Sequence, residues 1–169
     1  EIVNEHTYNG DPFEIRGLYV TCANPVGNVG NRMNTIEWIK NIDFLVVADI
    51  VMSETAKYAD IVLPAAYWFE VEDVMGLATN LPFLEYGEKA FEPYAESKSD
   101  FEIIKLLAEK LGYGEHFQMS EAEYLTNLFD TDKAREYGIS YETLREQNVI
   151  RMAPEGFVFA DGGEFPTPT

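Results

Sequence analysis

The sequence predicts an α/β domain built on a mainly parallel sheet, and three apolar runs carry that expectation. Gly17 to Ala23, Gly-Leu-Tyr-Val-Thr-Cys-Ala, reads as a first buried strand. Phe44 to Val47 is unbroken and rich in β-branched residues, the pattern of a strand covered on both faces of a parallel sheet. Ile61 to Leu63 repeats it and stops at Pro64. Between the last two, Ser53 is placed to cap a short helix from Glu54 to Ala59, with Glu54 set favourably against the helix dipole. Strand, helix and strand in that order make a β-α-β unit, and ligands on such sheets sit at the carboxyl ends of the strands. Asp49 stands at such an end.

The full expectation is a Rossmann-like three-layer αβα domain over residues 1–111, continued by an irregular and helical extension over residues 112–169. Glu1 to Arg16 is polar, with Asn9-Gly10-Asp11-Pro12 as a turn leading into the first strand. Asn24-Pro25 breaks that strand, because proline lacks an N–H and pushes the residue before it out of the helical region. An asparagine-rich loop with Gly27 and Gly30 follows. The next helix begins between Asn28 and Asn34 and runs to about Ile42, with Met33, Ile36 and Ile39 on its buried face and Asn34 and Glu37 as a capping box. Strand end, loop and helix N-terminus follow in the order of a nucleotide-phosphate site, although an ordinary strand-to-helix turn accounts for Gly-Asn-Val-Gly equally well.

Tyr67 to Ala95 has no clear period and carries Pro82, Gly87 and Pro93, which predicts an irregular or hairpin-bearing excursion. Ser99 to Glu102 is a capping box opening a helix with the apolar stripe Phe101, Ile104, Leu107, Ala108 and Leu111, and Gly112 ends it. Ser120 opens a shorter helix to about Phe129, and Ser140 opens another to Gln147. The tail from Pro154 reads as loop with short strands at most.

The 169 residues suffice for one domain with a real core. A formal net charge of −18 argues against nucleic acid or an anionic membrane as partner. A phosphate-bearing ligand would have to be held by backbone N–H groups, helix N-termini and a few basic side chains, of which Arg32 is the one near the first loop. The single cysteine, Cys22, excludes an internal disulfide or a cysteine-held cluster within these residues, and its apolar neighbours predict burial. His6 and His116 lack metal-ligand spacing and default to the surface. No signal peptide and no apolar run of membrane-spanning length is seen.

The run Val-Val-Ala-Asp-Ile-Val-Met-Ser-Glu-Thr-Ala-Lys-Tyr-Ala-Asp-Ile-Val-Leu-Pro-Ala-Ala, from Val46 to Ala66, with Glu70 shortly after, resembles the third domain of molybdopterin oxidoreductases of the dimethyl sulfoxide reductase family. The resemblance implies a parent in which two molybdopterin guanine dinucleotides hold one molybdenum, this domain binding the nucleotide portion of one of them. It implies four cofactor contacts: Asn24 at the end of the first strand, Ala48 and Asp49 at the end of the second, and Asp100 in Ser-Lys-Ser-Asp. A carboxylate can accept hydrogen bonds from ribose hydroxyls or from guanine N1–H and N2–H. Each residue also has a structural reading: Asn24 as a turn starter, Asp49 as a cap, Asp100 as a first-turn dipole partner. Glu70 is a structural carboxylate or a further contact, Glu54 and Asp60 read as helix-end residues, and Thr55 is a weaker candidate for a hydroxyl contact. Tyr67-Trp68-Phe69 reads as core or interface rather than a stacking platform.

Several relatives, such as formate dehydrogenases and periplasmic nitrate reductases, place a lysine or another polar residue after the position of Glu70, and follow an asparagine with Glu-Gly-Arg or Glu-Arg-Arg. Here Val71 follows Glu70, and Asn80 is succeeded by Leu-Pro-Phe-Leu-Glu-Tyr, which leans toward dimethyl sulfoxide reductase-like and aromatic dehydroxylase-like branches. The family's iron–sulfur cysteines and its molybdenum ligand are not in these residues. The expectation is therefore a piece of a catalytic subunit, inactive alone, whose parent passes two electrons between a donor and a substrate at the metal. Its partners would be the remaining domains of that subunit and an electron-transfer iron–sulfur subunit. Phe165 to Thr169 resembles the run into a fourth domain. The alternative is a stand-alone, non-catalytic nucleotide-binding or interaction module of the same fold. Substrate and cellular side are not legible.

Overall fold

The structure, a computed structural model, describes residues 5–76 and 82–152. The residues around Asn80 and the tail from Pro154, Phe165 to Thr169 included, lie outside the described residues. Two compact units appear: one holds the chain up to Tyr67 with Pro93–Ile103, the other Trp68–Glu92 and the chain from Ile104 on.

The first unit opens with a small hairpin, β1 (Thr7–Tyr8) on β2 (Asp11–Pro12). Its two turn residues, Asn9 and Gly10, have φ of 51° and 87°, the left-handed pair that a two-residue hairpin turn requires. Next comes the expected parallel sheet, in the order β3 (Gly17–Val20), β4 (Phe44–Asp49), β5 (Ile61–Pro64). Gly17 pairs with Phe44 and Val20 with Val47; Val46 pairs with Ile61 and Asp49 with Pro64. Asp60, expected at a helix end, instead starts the ladder: its N–H donates to Leu45 O at 2.9 Å and its Oδ2 accepts from Leu45 N at 2.8 Å. The core is Val20, Val26, Ile39, Leu45, Val47 and Ala56, with Leu18, Ile36, Trp38, Ala59 and Val62 against it.

Several local expectations are corrected. β3 stops at Val20 rather than Ala23, because Cys22 turns the chain with φ of 52°. Cys22 is exposed, not buried. The crossover helix expected over Glu54 to Ala59 shrinks to a 3-10 turn at Ala56–Tyr58, with Ser53 Oγ still accepting from Ala56 N at 3.3 Å. A short turn, α1 (Pro25–Asn28), precedes the main helix α2 (Arg32–Lys40), which is capped by Asn31 rather than Asn34. Met33 is 74% exposed, whereas Thr35 and Ile39 are buried: these two stand one helical turn apart and set an inward stripe that leaves Met33 off it.

Beyond β5, Lys98 N donates to Pro64 O at 3.2 Å and Ala66 N to Lys98 O at 2.8 Å. This one-residue parallel bridge carries the chain into α3 (Asp100–Lys110) and sets the start of that helix at the carboxyl end of the sheet. Ser99 Oγ accepts from Glu102 N at 3.1 Å, while the Glu102 carboxylate takes Lys98 Nζ at 3.0 Å. Gly112, with φ of 84°, closes α3 as expected: Tyr113 N reaches Ala108 O and Gly112 N reaches Glu109 O, the paired bonds of a Schellman end. The apolar stripe expected on α3 is covered only in part, Ala108 being buried with Ile103, while Ile104, Leu107 and Leu111 are exposed.

In the second unit the excursion after Tyr67 carries the expected hairpin, β6 (Asp73–Gly76) with β7 (Phe83–Gly87), extended by β8 (Val149–Arg151) into an antiparallel sheet. Helices α4 (Glu121–Asn127) and α6 (Tyr141–Gln147) both open with capping boxes, on Ser120 and Ser140, and a short α5 (Asp132–Glu136) capped by Thr131 lies between them. A clasp ties α6 to the hairpin. Glu72 Oε1 accepts from Tyr86 OH at 2.7 Å and from Tyr141 OH, and Arg145 Nε lies 3.3 Å away. Partial burial by itself would raise the Glu72 carboxyl, but the two phenol hydrogen bonds and the Arg145 charge together hold it below the usual range. A depressed carboxyl adds stability above its ordinary pKa and loses it as pH falls through the depressed value. Glu72→Gln should therefore lower the unfolding midpoint at pH 7, and the gap to wild type should close in acid; a gap independent of pH in thermal melts would contradict this.

Candidate functional site

A cleft of about 310 Å³ lies in the first unit at the carboxyl ends of β3 and β4, lined by Thr21, Cys22, Ala23, Asn24, Asn28, Ala48, Asp49, Ile50 and Asp100. All four residues singled out from the sequence are among them. Parallel pairing puts the ends of β3 and β4 side by side, which supplies Asn24, Ala48 and Asp49. The bridge at Lys98 then brings the first turn of α3, and with it Asp100, to the same edge.

Asn24 caps α1 and is more than a turn residue. Its Oδ1 accepts from Thr55 Oγ1 at 2.7 Å, Thr55 N at 3.2 Å and Gly27 N at 3.3 Å. Thr55 is fully buried, and its hydroxyl oxygen also accepts from Val26 N at 3.0 Å. Thr55 is thus an internal clamp, and the hydroxyl contact to a ligand considered for it is not available. Asp49 Oδ1 accepts from Ile50 N at 2.8 Å, and Asp100 Oδ1 accepts from Thr21 Oγ1 at 2.9 Å. A carboxylate offers about four acceptor positions, so each acid keeps capacity for ligand donors.

The N–H groups at the start of α1 do not form a phosphate cradle. Pro25 has none, Val26 N goes to Thr55, Gly27 N to Asn24, and Asn28 N to Asn24 O at 2.8 Å. The strand-to-helix turn is therefore the ordinary one. Arg32, the basic residue expected near this loop, pairs with Glu54 together with Lys57, and these contacts hold the Glu54 carboxyl below the usual range, the Lys57 hydrogen bond first. Arg32 does not line the cleft. The lining holds two carboxylates and no cation, a field that suits hydrogen-bond donors and opposes phosphate. The same field reaches Tyr19, whose hydroxyl is buried without a hydrogen-bond partner among the described residues; burial first, then Asp100 and Cys22, push its pKa up.

Glu70 is not among the lining residues. Tyr67, Trp68 and Phe69 are each nearly half exposed, with the Trp68 and Phe69 ring centroids 4.6 Å apart. His6 and His116 are exposed, as expected. Among the described residues no group of histidine, cysteine, aspartate or glutamate could hold a metal ion, and no helix is long and apolar enough to cross a membrane. Sequence reasoning did not place Thr21, Cys22 and Asn28 at the cleft; their entry depends on the turn at Cys22, whose left-handed φ has no local signal in a non-glycine residue.

A model of the molybdopterin oxidoreductase family matches residues 3–110. The chain is 39% identical over 132 residues to the F420-dependent formate dehydrogenase subunit alpha of Methanocaldococcus jannaschii, covering 78% of this chain and 19% of that protein. It is 36% identical over 142 residues to the assimilatory nitrate reductase catalytic subunit of Bacillus subtilis, covering 81% and 20%. Among solved structures, acetylene hydratase from Pelobacter acetylenicus matches with a TM-score of 0.72 and 25% identity, over 95% of this chain and 22% of that one. The chain spans 16%, 19% and 23% of the length of the first curated relatives it matches. A putative dimethyl sulfoxide reductase catalytic subunit of Halobacterium salinarum matches as well, 35% identical over 143 residues, beside these formate dehydrogenase and nitrate reductase relatives. On the match over residues 3–110 and these relatives, the chain belongs to the molybdopterin oxidoreductase family, among molybdoenzymes of the dimethyl sulfoxide reductase family.

Proposed function

We propose that this chain serves in the catalytic subunit of a molybdenum oxidoreductase and binds the guanosine portion of a molybdopterin guanine dinucleotide through Asn24, Ala48, Asp49 and Asp100. The observation that carries the reading is the convergence of these four residues, drawn from three separate stretches of the sequence, on one cleft with two acceptor carboxylates and no cation. Asp49 and Asp100 would accept from guanine or ribose donors, and Ala48 leaves room for close approach. The bound cofactor would supply the metal at which two electrons pass between donor and substrate. Residues 1–111 would form the cofactor-binding part and 112–169 an extension toward a further domain. The chain alone would be inactive, with the metal ligand and any iron–sulfur cluster supplied by the rest of the subunit, and an iron–sulfur partner would carry electrons. The residues after Glu70 favour a dimethyl sulfoxide reductase-like or dehydroxylase-like reaction. Molybdenum and guanine nucleotide content of the purified subunit test the cleft: each of Asp49→Ala and Asp100→Ala should lower both, and loading equal to wild type in both variants would remove the reading.

A further inference from the structure

We infer that Thr55 is a positioning residue that locks the Asn24 amide with its oxygen inward, so that Asn24 meets a ligand in this cleft only as a hydrogen-bond donor. The inference rests on the cofactor reading above and adds to it which ligand atoms Asn24 can face: acceptors, such as a carbonyl or ribose oxygen or a ring nitrogen.

The chemistry of the contacts fixes the amide orientation. Two of the three groups bonded to the Asn24 terminal atom are backbone N–H groups, of Thr55 and Gly27, which can only donate, so that atom must be the oxygen. The third, the Thr55 hydroxyl at 2.7 Å, has its own direction set by Val26 N, which donates to the hydroxyl oxygen and leaves the hydroxyl proton for Asn24. With its oxygen committed to these donors, Asn24 retains NH₂ as the group with unspent capacity. The other side of the clamp is Gly27. A Cβ there would stand 2.4 Å from Asn24 Nδ2 and 2.9 Å from its Cγ, so the absent side chain is what lets the amide lie as it does. Thr55 is 0% exposed and belongs to the crossover between β4 and β5, so it acts on the ligand only through Asn24.

The test is cofactor loading of the whole catalytic subunit, read as molybdenum and as guanine nucleotide released on denaturation, beside a thermal melt of each variant. Thr55→Ser keeps the hydroxyl and should load like wild type. Thr55→Val keeps the volume, loses the hydroxyl and should load about tenfold less at limiting cofactor, the weight of one ligand hydrogen bond. Asn24→Asp lets Thr55 and Gly27 donate as before but replaces the NH₂ by an acceptor, and should lose loading by at least as much while melting near wild type. This second variant carries the test if Thr55→Val does not fold. Equal loading of Thr55→Val and Thr55→Ser, or wild-type loading of Asn24→Asp, overturns the inference. Asp49→Ala run alongside separates the two readings: if it loses cofactor while Thr55→Val and Asn24→Asp do not, the clamp alone is wrong; if it too loads fully, the cofactor site falls and the inference with it.

Discussion

A catalytic subunit carrying Asp49→Ala together with Asp100→Ala is expected to be purified almost free of molybdenum and guanine nucleotide. Each carboxylate would contribute hydrogen bonds to a ligand donor from a charged group, worth about 1.5–3 kcal/mol, so the pair corresponds to roughly two to four orders of magnitude in affinity. No cation lines the cleft to take over when they are removed. The structural losses are smaller. Asp49 gives up its bond from Ile50 N; Asp100 gives up the Thr21 hydroxyl and a favourable place in the first turn of α3, worth about 0.3–1 kcal/mol. A melt close to wild type with lost loading is the expected combination. A subunit that loads normally would show that this cleft is not where the cofactor is held.

Leu45→Ala should be the most damaging single change in the first unit. Leu45 is 2% exposed in the central strand β4, within the cluster formed with Val20, Val26, Ile39, Val47 and Ala56. Truncating such a leucine costs about 2–5 kcal/mol, a large part of the ordinary stability of a domain, and should lower the melting temperature of the chain by roughly 5–15 °C. Met33→Ala is the matched comparison. A side chain 74% exposed should move the midpoint within the scatter of surface changes, and a loss near that of Leu45→Ala would mean that Met33 is covered after all.

The strands and helix ends were legible because their signals are local. Phe44 to Val47 and Ile61 to Leu63 are short apolar runs, and both became strands of the parallel sheet, although Ile61 to Leu63, expected buried, is covered only in part, with Ile61 exposed. Ser120, Ser140 and Gly112 act on backbone groups within a turn of themselves, so cap and stop followed from spacing. The failures have a different origin. Met33 went to solvent because the buried stripe of α2 runs through Thr35 and Ile39, and the cap of α2 is Asn31 in a left-handed conformation rather than Asn34. Cys22 became exposed, and the helix over Glu54 to Ala59 shrank to a 3-10 turn whose Thr55 is held from outside by Asn24.

The sequence by itself determined the α/β class, the strands β4 and β5, the ends of α3 and α6 and, through the run from Val46 to Ala66, the family, because each is written in neighbouring residues. It also named Asn24, Ala48, Asp49 and Asp100, though only by resemblance. The tertiary structure alone decided that these four share one cleft, that the start of α1 has no N–H group left for a phosphate, and which atoms of Asn24 and Asp100 are already committed. Those outcomes hang on Thr55, Thr21 and the bridge at Lys98, contacts between residues far apart in the chain, and no local pattern encodes which distant partner will use a hydrogen-bonding group.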